Sequence, residues 1–117
     1  MPSTLTAYID QWAEEIPDTL WLQDRSGDTF TTWTWRQARE EIEAVGAALE
    51  SLLGEGGRQS VGIVSRNRAH WVLADMAIIA SGNVTIPMFT TLADDVAEYV
   101  MTFTEMTALI VGEAENW

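Results

Sequence analysis

Few side chains in this sequence could do chemistry, and their spacing limits what that chemistry could be. His70 is the sole histidine, and the chain has no cysteine and no lysine. A metal centre needs three or four converging ligands. His70 stands alone at the start of a helical pattern, five residues before Asp75, and reads as a partly exposed helix-start residue. Asp75 lies within the apolar run Trp71–Ala80. As a general base it would need a nucleophile or second carboxylate within reach, and no spacing nominates one. The structural alternative is a carboxylate that caps a backbone turn or pairs with Arg66 or Arg68. Without lysine there is no Walker-type phosphate loop, no Schiff base and no lysine contact to an acyl phosphate.

Gly54, Gly56 and Gly57 spell G-x-G-G, but they follow a helical pattern and precede a strand. That is the reverse of the order a phosphate loop requires. Six tryptophans could form a ligand platform. Trp12, Trp35 and Trp71 instead match apolar helix positions, while Trp21 and Trp33 sit on opposite arms of a hairpin, where aromatic cross-strand pairs are common. Core packing is the reading for all of them. Ser65, Thr90 and Thr91 offer hydroxyls just past strands, where ligands gather in open parallel sheets. The loops Ser65–Arg68 and Met88–Thr91 are therefore the best candidates for lining a pocket.

The elements that must position these residues follow from periodicity. Thr4–Ile16 predicts a helix with Leu5, Tyr8, Ile9, Trp12, Ala13 and Ile16 on one stripe, capped by Ser3 or Thr4 and ended by Pro17. Thr19–Arg25 and Thr29–Thr34 predict a hairpin turning at Ser26-Gly27-Asp28. Thr34-x-x-Gln37 is a capping box for a second helix, with Trp35, Ala38, Ile42, Val45, Leu49, Leu52 and Leu53 on its apolar face and Gly54 as its stop. Ser60–Val64 predicts a strand, followed by a helix that Asn67 is placed to cap and that is apolar on most faces. A short strand then leads to Pro87, and Met88–Thr91 is a loop. Leu92–Thr104 is a fourth helix with Asp94 and Asp95 in its first turn, Thr107–Val111 a further strand, and Glu113–Trp117 the start of another element.

Strands alternating with helices, each strand a continuous apolar run, predict an α/β fold. The expected architecture is a three-layer-type parallel sheet, strand–helix–strand–helix–strand, preceded by a helix, a β-hairpin and a helix. At 117 residues and 47% hydrophobic content the chain can bury roughly 65% of its unfolded surface. The net charge of −12 opposes nucleic-acid and anionic-membrane binding. No apolar run is long enough to span a bilayer, and the N-terminus lacks the pattern of a signal peptide, so the expected location is cytoplasmic.

In this order and spacing the pieces resemble a known family. They are Pro17-Asp18 after the first helix, Thr32-Trp33-Thr34-Trp35, and Val61-Gly62-Ile63-Val64-Ser65-Arg66-Asn67 with Trp71 and Asp75. Gly82-Asn83-Val84-Thr85-Ile86-Pro87 and Glu98-Tyr99-Val100 before Ala108–Val111 complete the set. The chain resembles the N-terminal part of an AMP-forming long-chain fatty acyl-CoA synthetase, of the adenylate-forming enzyme family. Phe89-Thr90-Thr91 departs slightly from the Tyr-Pro-Thr or Tyr-Thr-Thr common there.

The resemblance implies that residues 1–117 are the N-terminal part of the large AMP-binding domain, a partial domain of the adenylate-forming fold. It implies a parent ligase, cytoplasmic or membrane-associated, that uses ATP, Mg²⁺ and coenzyme A on a fatty acid. The family's Ser/Thr/Gly-rich loop ending in Lys-Gly, its acidic Mg²⁺ residue, its ribose-binding Asp and its C-terminal lysine have no counterpart here. No catalytic, cofactor-binding or metal-binding residue is thus carried over, and the segment alone is expected to be inactive, to bind none of these cofactors and to self-associate. The remainder of the ligase chain is its expected partner. The alternative is a free-standing α/β interaction or small-ligand-binding module without ligase chemistry.

Overall fold

The structure is a computed structural model that describes residues 4–114. In chain order the elements are α1 (Leu5–Glu15), β1 (Leu20–Ser26), β2 (Thr29–Thr34), α2 (Trp35–Leu53) and β3 (Ser60–Val64). They continue with α3 (Ala69–Ala80), β4 (Val84–Met88), α4 (Asp94–Phe103) and β5 (Ala108–Val111). The expectation of a capping Ser3 and of an element through Trp117 falls outside the described residues. Thr4 caps α1, its hydroxyl accepting from the Ala7 N–H at 3.2 Å.

The capping box of α2 forms as the sequence spells it. The Gln37 N–H donates to Thr34 Oγ1 at 3.2 Å, and the Thr34 N–H donates to Gln37 Oε1 at 3.0 Å. Gly54 ends the helix at φ 85°, a conformation that costs glycine nothing. The predicted apolar face is only partly buried. Ala38, Ile42, Gly46 and Leu49 face the core, while Val45 is 36% and Leu52 78% exposed. At 100° per residue those two lie on the stripe's far edge, beyond the packed elements.

β1 and β2 form a separate antiparallel hairpin, with Gly27 at φ 63° in the turn. The register pairs Leu22 with Trp33 and Leu20 with Thr34, so Trp21 is the extra residue of an irregularity and has no cross-strand mate. Its indole instead stacks on Trp35, with centroids 4.3 Å apart and planes 8° from parallel. The expected Trp21–Trp33 pair is not formed. Trp12 leans on Trp35 at 4.9 Å, and Trp33 is buried with its Nε1–H donating to Glu41 Oε2 at 2.9 Å.

β3, β4 and β5 make the predicted parallel sheet, in the order β4-β3-β5. From β3 the chain moves out to β4, then returns past β3 to β5. Right-handed crossovers in opposite directions put the two connecting helices on opposite faces. Val61, Ile63, Ala108 and Ile110 pack under Leu49 of α2 and under Ala74 and Ile78 of α3. Val64, Met88 and Leu109 pack under Ala97, Val100 and Met101 of α4. Ile63, Ile78, Val61 and Val64 are the largest fully buried side chains, and α3, apolar on most faces, is the middle of the molecule. A third cluster (Ile9, Trp33, Ala38, Leu73, Met76 and their neighbours) fastens α1 and the hairpin to α2 and α3.

Pro87 lies inside β4 rather than after it. The strand tolerates it because β4 is at the sheet's edge. The Val84 N–H donates to Gln59 O at 2.9 Å, so backbone alternation turns the nitrogen of Pro87 away from β3.

Candidate functional site

The carboxyl ends of β3, β4 and β5 lie side by side, and the loops leaving them gather at one end of the sheet. The glycine loop Gly54–Gly57 enters β3 from the opposite end. There the Arg58 N–H donates to Gly82 O at 2.7 Å, and a Cβ on Gly57 would sit 3.0 Å from that oxygen. This loop packs backbone against backbone and is not a phosphate cradle.

Ser65–Arg68 is held by residues far away in sequence. Ser65 Oγ accepts from the Glu113 N–H at 3.1 Å and donates to Arg66 O at 3.0 Å. The Arg66 N–H donates to Glu113 O at 2.9 Å, and Arg68 forms an ion pair with the Glu113 carboxylate. The loop after β3 is thus joined to the loop after β5. Gly112 makes this possible, since a side chain there would collide with Ser65.

Asp24 of the hairpin closes the arrangement. Its Oδ1 accepts from the Ala69 N–H at 2.8 Å, capping α3 from outside the helix's own chain segment. Its Oδ2 has no hydrogen bond and faces Arg68 Nε across 3.5 Å, with the Asp24 side chain 12% exposed. Asn67, expected to be the cap, does not serve: the N-cap position is Arg68, and no side chain of the loop caps the helix. The register of the loop carries Asn67 into solvent, and the carboxylate on β1 takes the vacant amide instead. The inward face of β1 carried the signal, because Asp24 follows Leu22 by two residues and so shares its core-facing side.

Arg68, one of the partners expected for Asp75, is engaged by Asp24 and Glu113. Asp75 is half-buried in α3 and makes no side-chain hydrogen bond or ion pair among the described residues. His70 is exposed, its ring edge-on to Trp33 at 5.2 Å. No nucleophile–base pair is assembled from these groups.

The second expected loop behaves differently. Thr90 and Thr91 line an open hollow of about 710 Å³ with Leu92, Asp94, Ala97, Glu98 and Met101. Ser65–Arg68 does not line it. The strand ends therefore present one tied loop and one open hollow with carboxylates at its rim. Asn83 is buried at the other end of β4. Its Oδ1 accepts from the Gln59 N–H at 3.1 Å, and its Nδ2–H donates to Ser81 Oγ at 3.0 Å.

Comparison with known proteins places this arrangement. Residues 9–116 match the family described as AMP-binding enzyme. Fatty acyl-CoA synthetase A of Dictyostelium discoideum is 36% identical over 90 residues, covering 76% of this chain and 13% of that protein. Human long-chain-fatty-acid–CoA ligase 1 is 27% identical over 97 residues, covering 81% of this chain and 14% of that protein. The crystal structure of fatty acid AMP ligase from Legionella pneumophila superposes with a TM-score of 0.83 at 14% identity, over 95% of this chain and 20% of that one. At that identity the superposition speaks to fold alone, and the chain spans only a small part of the length of the proteins it matches. The strand–helix layer, the order of its sheet and the match over residues 9–116 together show that the chain belongs to the AMP-binding enzyme family.

Proposed function

We propose that this chain is the N-terminal scaffold layer of an ATP-dependent long-chain fatty acid–CoA ligase. In such an enzyme a fatty acid is activated to an acyl adenylate with release of pyrophosphate, and the acyl group then passes to the thiol of coenzyme A. The family match over residues 9–116, with relatives named fatty acyl-CoA synthetase A and long-chain-fatty-acid–CoA ligase 1, carries the proposal.

The residues of this segment do not by themselves fit ATP or Mg²⁺. Lysine is absent, and among the described residues no three His, Asp or Glu side chains converge as a metal site requires. No chemical step is assigned to them. Their part is to position: residues 1–117 form the first section of the large AMP-binding domain, and the tied loops at the strand ends brace the place where later polypeptide supplies the reacting groups. No helix among the described residues is long and apolar enough to cross a membrane. The parent acts in the cytoplasm or at a membrane surface.

The test is fatty-acid-dependent exchange of pyrophosphate into ATP, measured on the product of the coding sequence read through and beyond Trp117. Exchange with long-chain acids supports the reading. Absence of exchange with acids of every length would refute it, and an open frame that stops at Trp117 would favour a free-standing α/β module.

A further inference from the structure

The net charge of −12 is unevenly placed, and α1 and α2 carry their charges against the helix dipole. A helix favours anions at its amino end and cations at its carboxyl end. α1 has no basic residue and ends on Glu14 and Glu15. α2 has Arg36 and Arg39 near its amino end and Glu50 in its last turn. None of the four described helices has a basic residue in its last turn. α4 differs, with Asp94 and Asp95 in its first turn, where the dipole favours them.

The two unfavourably charged helices meet. An open hollow of about 340 Å³ lies between α1, α2 and the carboxyl end of α3, and Asp10, Glu43 and Glu50 line it beside Ser81. Arg39 is the one cation lining it, and among the described residues it forms an ion pair with none of them. The carboxyl end of α3 adds the negative pole of its own dipole. Asp10 also precedes Glu14 by four residues, a like-charge spacing that destabilises a helix. Little burial opposes this repulsion, since Ile9 and Ala13 are the only buried residues of α1.

We propose that ionic strength sets how firmly α1 is docked: dissolved salt screens the repulsion across the α1–α2 seam, and α1 loosens when salt is withdrawn. The screening length falls from about 20 Å at about 0.02 M salt to about 4 Å at about 0.5 M. The carboxylates around the hollow therefore repel one another at the lower salt and scarcely at the higher. Diffuse counterions are enough, and no bound ion is required. Neither nucleotide nor fatty acid takes part, so the device is independent of ligase chemistry and is tested without either.

Hydrogen exchange in peptides of α1 and α3 is compared at about 0.02 M and about 0.5 M potassium chloride, on the product of the coding sequence that carries this chain. At the higher salt α1 amides should gain about tenfold protection, and amides of the apolar α3 about twofold or less. Asp10→Asn, Glu14→Gln and Glu50→Gln together remove three charges at exposed positions while keeping side-chain size. That variant should show the high-salt protection of α1 already at low salt, and its own response should fall to about twofold or less. Asp94→Asn with Asp95→Asn removes two charges from α4 and should leave the response of α1 intact. Sucrose, which favours compact states without screening charge, should not substitute for salt. The proposal is overturned by α1 protection indifferent to salt, by a gain spread equally over α1 and α3, or by a sucrose effect that matches the salt effect. A full response in the Asp10, Glu14 and Glu50 variant, or its loss on the α4 substitutions, would overturn it too.

Discussion

Among the described residues, Asp24 supplies the only side chain that caps α3 and one of the two carboxylates around Arg68, and replacing it with alanine removes both. Loss of a helix cap costs about 1 kcal/mol and up to about 2. The Arg68 contact adds less than about 1 kcal/mol, because Arg68 is 30% exposed and keeps Glu113. The sum is about 2 kcal/mol, which for a chain of this size lowers the melting temperature by on the order of 10 °C. Asp24→Asn retains an oxygen for the Ala69 N–H and should lose about half as much. Chemical denaturation of both variants beside Asn67→Ala measures the difference, and hydrogen exchange at the Ala69 amide localises it. Asn67→Ala should stay within about 0.5 kcal/mol of the parent chain, since that side chain caps nothing. The reasoning fails if Asn67→Ala is as costly as Asp24→Ala, or if Asp24→Ala leaves Ala69 exchange unchanged.

Other substitutions test the packing. Gly46 is buried in the middle of α2, yet a Cβ there would meet only Ala77 O at an ordinary 3.7 Å. Gly46→Ala should therefore stabilise the chain by roughly 0.5–1 kcal/mol in urea unfolding. Gly57→Ala should do the opposite, costing about 1–2 kcal/mol, because Gly57 has φ 66° and its Cβ would press on Gly82 O at 3.0 Å. Asn83→Ala strands the Gln59 N–H in a part-buried site and should cost about 1–3 kcal/mol by the same assay. Equal effects at Gly46 and Gly57 would show that the backbone geometry at these positions has been misjudged.

The elements that could be read from the sequence are those whose signals are local. The Thr34–Gln37 box is written within four residues and forms as written. The alternation of strands and helices, and the apolar runs of β3 and β5, specify a parallel sheet covered on both faces, which the packing of α3 on one side and α4 on the other provides. Where local signals misled, a distant residue had intervened. Asn67 has the right chemistry and position for a cap, but Asp24, 45 residues before Ala69, occupies the Ala69 amide. Val45 and Leu52 fit the apolar periodicity of α2, but the neighbouring elements reach only part of that stripe. Pro87 looked like the end of a strand, and only its place at the sheet's edge lets it lie inside one.

The sequence by itself determined the fold class, the helix boundaries set by Thr34, Gly54 and Pro17, the family, and the lack of any lysine that phosphate chemistry could use. The tertiary structure alone decided which loops meet. Ser65, Arg68, Glu113 and Asp24 carry no mutual spacing that a sequence pattern could reveal, because they converge only after the crossovers set the order β4-β3-β5 and the hairpin docks on α3. Periodicity reports which face of an element is apolar. It cannot report which partner covers that face, since burial depends on contacts between residues far apart in the chain.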